Sequence, residues 1–179
     1  MTKKNGGFTL VELLVTVALI TITVGVTGDI VLSLIKSYNK TQITNEIEQN
    51  ANFIMAKLEK ELHNAINITS PVTPGGAVKI IKFTRDIAGT VVEITYEIKT
   101  ISGIGTIVRK EGAGSKYALV NNDIINGVDL SYANSYFTLV RTDPDVVQVH
   151  MVFRQVGSPS QSFVGDVTLD TAVVLRGSY

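Results

Sequence analysis

No cysteine occurs among the 179 residues, and there are only two histidines. The first absence removes thiol nucleophiles, disulfides and cysteine-based zinc sites, and it leaves the compartment unreadable from thiol usage. The second leaves His63 and His150 far apart in sequence, so no histidine-rich metal site or triad is expected. An excess of one charge is missing too, since Lys+Arg 16 balance Asp+Glu 16. After position 68, ten basic residues are scattered among ten acidic ones. Such a surface has no electrostatic footprint for DNA or RNA, and direct nucleic-acid binding is not predicted.

What is present is a segregation of charge. Only Lys3, Lys4, Glu12, Asp29, Lys36 and Lys40 are charged in the first 45 positions, and the tract from Phe8 to Ile35 holds just Glu12 and Asp29. From Phe8 to Gly28 the chain reads FTLVELLVTVALITITVGVTG. As a helix this stretch is about 31 Å long, against about 30 Å of bilayer hydrocarbon. Lys3 and Lys4 precede it and no Lys or Arg follows until Lys36, so the positive-inside bias keeps the first residues cytoplasmic and the C-terminal part outside. The apolar run is longer than that of a secretory signal peptide, and no A-x-A-like cleavage site follows it. A simple anchor fits length and orientation but leaves Glu12 unexplained. A carboxylate costs about 2.5 to 3.5 kcal/mol at the bilayer centre and less near an end, so Glu12 calls for a cationic partner.

Beyond the apolar tract, Ile43, Ile47, Ala51, Ile54, Leu58, Leu62 and Ile66 recur at helical spacing, with Glu46, Glu48, Lys57, Glu59, Lys60 and Glu61 mostly elsewhere. The spacing predicts an amphipathic helix to about Asn67, ended by Ser70-Pro71-Val72-Thr73-Pro74-Gly75-Gly76. Gly25, Gly28 and Asp29 interrupt its earlier part; Asp29 either marks the outer membrane boundary, the reading favoured here, or pairs between subunits. From Val78 the period becomes two. Val92, Ile94, Tyr96 and Ile98 alternate with polar neighbours, as do Val147 to Phe153 and Val167 to Leu175, with shorter strands at 78–84, 105–111, 127–132 and 136–141. Ala88-Gly89, Ser102-Gly103, Asp143-Pro144-Asp145 and Gly157-Ser158-Pro159 read as turns. The expected class is α+β, a long N-terminal helix packed on a mainly antiparallel sheet.

Lys3-Lys4-Asn5-Gly6-Gly7 followed by Phe8-Thr9-Leu10-Val11-Glu12-Leu13-Leu14-Val15 resembles the class III signal of type IV pilins and pseudopilins. The resemblance implies the pilin fold, and a membrane-embedded prepilin peptidase that recognises the leader with Lys3 and Lys4, cuts between Gly7 and Phe8 and methylates the new amine of Phe8. It also implies that Glu12, the fifth mature residue, takes part in subunit assembly by compensating the N-terminal ammonium of a neighbour. The implied organisation is a leader at 1–7, a membrane-spanning and filament-core helix at 8–35, its amphipathic continuation at 36–68 and an extracytoplasmic β-rich domain at 69–179. Strand patterns in the tail and centre are similar to W-type minor pilus components and J-type secretion pseudopilins. The expected role is therefore a minor pilin or pseudopilin that helps to initiate or cap a type IV pilus-like filament, in a pilus, type II secretion or competence system. The alternatives are a major structural pilin and, in a different class, a membrane-anchored extracytoplasmic binding domain or enzyme. Implied partners are the prepilin peptidase, other pilins or pseudopilins, an assembly platform with its ATPase, and membrane lipid before assembly.

No catalytic residue and no cofactor is expected. Asn121-Asn122-Asp123 and Asn126-Gly127-Val128-Asp129 gather oxygen ligands, which makes Asp123 and Asp129 weak calcium candidates. They lack EF-hand spacing, and the same residue types make turns. His63 falls in the last turns of the helix, where it can meet carbonyls, and His150 falls on the polar side of its strand.

Overall fold

The computed structural model describes residues 7–120, 127–156 and 166–176. The chain divides into two units, Met1–Thr41 and Gln42–Tyr179. One helix, α1 (Leu10–His63), runs from the first into the second.

In the first unit every described residue is exposed, including Leu13, Leu19, Ile22, Leu32 and Ile35. A face of that apolarity is stable only in lipid or against other helices. Its threonines do not oppose insertion, because their hydroxyls donate to carbonyls of the same helix: Thr16 to Leu13, Thr21 to Val17, Thr23 to Leu19 and Thr27 to Thr23, at 2.8 to 2.9 Å. Gly25 and Gly28, expected to interrupt the helix, lie within it.

In the second unit the predicted stripe is the buried one. Ile47, Ala51, Ile54, Leu58 and Leu62 are at most 1% exposed, and Ile43 packs against the same core. The helix does not reach Asn67. It stops at His63, where the Asn64 side chain donates to the Lys60 carbonyl (2.8 Å) and the Ile66 amide turns to Thr84 of the neighbouring strand. Asn67 and Ile68 belong instead to β1 (Asn67–Ser70), and Ile66 is left 38% exposed. The period of three and four ran on by chance through residues whose amides find strand partners.

The strands form two antiparallel sheets rather than one. The first orders β1, β2 (Ile80–Ile87), β3 (Thr90–Ile101), β4 (Ile104–Glu111) and the short β5 (Tyr117–Ala118) in sequence. Its two long hairpins close on Ala88-Gly89 and Ser102-Gly103, all four residues at positive φ, which is the two-residue turn that suits the right-handed twist of paired strands. The second sheet is centred on β8 (Asp145–Gln155). There β9 (Asp166–Val174) pairs along one edge, while β6 (Val128–Leu130) and β7 (Tyr136–Thr142) share the other. Inward residues of both sheets meet α1 in one core, with Phe83 and Tyr96 stacked at 6.1 Å and Phe137, Val149, Met151 and Phe153 fully buried.

The sheets come into close contact at Gly105. A Cβ there would stand 1.8 Å from the Leu130 carbonyl oxygen, and the Gly105 amide donates to Asp129 Oδ1 at 2.6 Å. Gly105→Ala must force β4 and β6 apart, so it is expected to lower stability by about 3 kcal/mol or more, read as a shift of the urea midpoint of the full chain in detergent.

Candidate functional site

The amino-terminal segment is built by one local device. Thr9 is the N-cap of α1: its hydroxyl accepts the Glu12 amide (3.2 Å), and Glu12 Oε2 accepts both the Thr9 amide and the Thr9 hydroxyl (3.2 Å each). This is a reciprocal capping box, with the carboxylate at the positive end of the helix. Phe8 precedes the cap and is 78% exposed, and Gly7 is exposed beside it. The scissile junction expected between Gly7 and Phe8 therefore sits on an open backbone just ahead of the first helical turn. Lys3 and Lys4 lie outside the described residues.

Thus the structure places Gly7, Phe8 and Glu12 together and gives the Glu12 carboxylate a cap to serve within its own chain. Both cap bonds fall on Oε2. Downstream, α1 is long and apolar enough to cross a membrane, and none of its membrane-length apolar stretch is buried.

Of the calcium candidates, Asp123 lies outside the described residues. Asp129 is used as a structural clasp: Oδ1 holds the Gly105 amide and Oδ2 lies 3.9 Å from Arg154 Nε. Among the described residues no three His, Asp or Glu side chains gather as a metal set. His63 Nδ1 is 3.2 Å from the Val174 carbonyl. His150 stacks on Tyr136 at 4.9 Å and meets Asp170 Oδ2 at 3.0 Å, and that bond, then one from Gln148, holds the Asp170 carboxyl below its usual range.

The periodicity missed a buried polar cluster. Glu61 of α1 accepts Arg109 Nε (2.9 Å) and the Tyr96 hydroxyl (2.7 Å) on Oε2, while Arg109 also meets Glu111 (2.8 Å) and Tyr117 (2.9 Å). The Glu61 and Arg109 side chains are 9% and 6% exposed. Burial alone would lower the Arg109 pKa, but its bonds to Glu61 and Glu111 outweigh that and hold it above the usual range. Burial, then the Glu61 charge, pushes the Tyr96 phenol well up. A signal existed in the sequence: Glu61 adjoins Leu62 and follows Leu58 by three, on the flank of the apolar stripe, and a tyrosine at a core position needs a hydroxyl partner. The cluster fixes the rotation of this part of α1 on the first sheet.

Residues 2–28 match the family model described as the prokaryotic N-terminal methylation motif. That motif is consistent with a type IV pilin or pseudopilin. It implies processing by prepilin peptidase and assembly with other pilins, and the chain's apolar helix fits membrane anchoring with the remainder outside the cytoplasm. The α+β arrangement of the pilin-like chain, one long helix on antiparallel sheets, agrees with the class expected from periodicity. No curated protein and no solved structure matches it.

Proposed function

We propose that this pilin-like chain is a non-enzymatic filament subunit, cut between Gly7 and Phe8, methylated at Phe8, and drawn from the membrane into a type IV pilus-like filament. The observation that carries the reading is the methylation motif leading directly into a helix whose first, membrane-length apolar stretch is wholly exposed. Extraction from lipid then becomes an exchange of apolar neighbours, in which the helix leaves one nonpolar surrounding for another made of like helices. Glu12 supplies the polar element: in the filament its carboxylate compensates a neighbour's terminal ammonium, which would be costly alone in an apolar core. The strand patterns of the tail and the lack of cysteine support a minor pilin or pseudopilin, placed to initiate or cap the filament. One observation favours the major-subunit reading instead, the opposite charges on the two exposed flanks of α1 considered in the next subsection.

Intact mass and terminal sequencing of the protein from the cells that make it are expected to give a chain that begins at N-methylated Phe8. A chain that begins at Met1, or at any residue other than Phe8, would sink this reading and return the protein to the class of anchored binding domains or enzymes.

A further inference from the structure

Between Gln42 and His63, Phe53 is the one large hydrophobic side chain left exposed, at 59%. Beside it runs a groove of ≈ 410 Å³ lined by Lys57 and Lys60 of α1 and Arg85 of β2. Glu61 also borders that groove, but its carboxylate is shared by buried Arg109 (2.9 Å) and by Arg85 (3.8 Å), so Lys57 and Lys60 leave the groove net basic. On the adjacent flank of the helix a groove of ≈ 340 Å³ is lined by Asn52 and Glu59 of α1 and Asp170 of β9, and it is acidic. Ala56 borders both and forms the low crest between them. Among the described residues, neither Lys60 nor Glu59 has an ion-pair partner.

We infer that the two grooves are the two halves of one heterologous contact, in which the Lys57–Lys60–Arg85 groove of one copy of this chain takes up the Glu59–Asp170 flank of the next. A twofold pairing of either flank with itself would set like charges against each other, whereas head-to-tail pairing sets cation against carboxylate. The charges fix partner and orientation, and Phe53 with Ala56 supplies apolar contact that excludes water. Because the flanks lie on either side of the Ala56 crest, each added copy still presents one basic and one acidic groove. Such a contact extends into an open array, and it favours an abundant subunit over a single-copy one. The inference rests on the filament reading.

The chain has no cysteine, so introduced cysteines report alone. Full-length Lys57→Cys and Glu59→Cys copies, co-expressed with tags of different length in the cells that make the protein, are expected to give at least tenfold more mixed disulfide than either gives with itself. Reversing one flank (Lys57→Glu with Lys60→Glu) or the other (Glu59→Lys with Asp170→Lys) is expected to lower assembly at least tenfold. Mixing the two reversed forms is expected to restore it, because copies of uniform negative and uniform positive flanks then alternate. These are surface positions, and an unchanged urea midpoint separates lost contact from lost fold. Self-disulfides as abundant as mixed ones overturn the proposed contact. Filaments of Phe8-starting chain without the mixed disulfide also overturn it and leave the filament reading standing, whereas an uncut Met1 terminus overturns both.

Discussion

Glu12→Gln is expected to leave the chain inserted and α1 properly started, yet to lower its incorporation into filaments by about a hundredfold, the equivalent of about 3 kcal/mol for leaving one member of a buried ion pair unpaired. The choice of Gln matters because of the geometry at the helix start. A glutamine can complete a capping box as well as a glutamate, so it keeps the Thr9 amide satisfied and removes only the negative charge. Glu12→Ala removes cap and charge together. If the carboxylate serves only to cap its own helix, Gln behaves as wild type and Ala alone is impaired. If it compensates a neighbour's ammonium, the two variants fall together and the cap contributes the small remainder, about 1 kcal/mol. Quantifying membrane-inserted and filament-incorporated chain for both variants separates the cases, and wild-type incorporation of Glu12→Gln would remove the charge-pairing role.

The reciprocal bonds that separate the two variants belong to the folded helix start. Glu12 stood out by its cost in an apolar tract, and the apolar stripe from Ile43 to Leu62 was legible because its partner surface is continuous and its period is that of a helix. The hairpins were legible for a similar local reason, since Ala88-Gly89 and Ser102-Gly103 hold positive φ that few residue pairs tolerate. What remained hidden depends on distant residues. The two sheets approach each other at Gly105, where a carbonyl from β6 occupies the space of a side chain, and nothing local to Gly105 announces Leu130. Asp129 looked like a cation ligand because oxygen-rich loops serve both purposes; its actual partner is an amide 24 residues earlier. The Thr9 hydroxyl, on the second residue after the expected cut, belongs to a common helix start whose meaning here came only with the position of the Glu12 carboxylate.

Glu61→Ala is expected to lower the stability of the full chain by about 3 to 5 kcal/mol, because it strands a buried guanidinium and a buried phenol at once. The two largest contributions come from Arg109, which keeps Glu111 but loses its shielded partner, and from Tyr96, whose hydroxyl donates to Glu61 at 2.7 Å. The pair itself need not be a net source of stability, since desolvating two charges offsets much of their attraction. Glu61→Leu combined with Arg109→Met and Tyr96→Phe should therefore recover most of the loss, and urea midpoints of the single and combined variants measure the coupling. Alkali gives an independent handle. The folded Tyr96 pKa is raised, so its proton is held in the native state through the range where an unfolded tyrosine gives it up, near pH 10. Its contribution is complete below that value and is lost as pH rises above it. Tyr96→Phe should flatten that alkaline decline. A decline unchanged in Tyr96→Phe would place the titrating group elsewhere and leave Glu61 held chiefly by Arg109, a pairing that fixes how α1 presents its charged flanks to a neighbouring subunit.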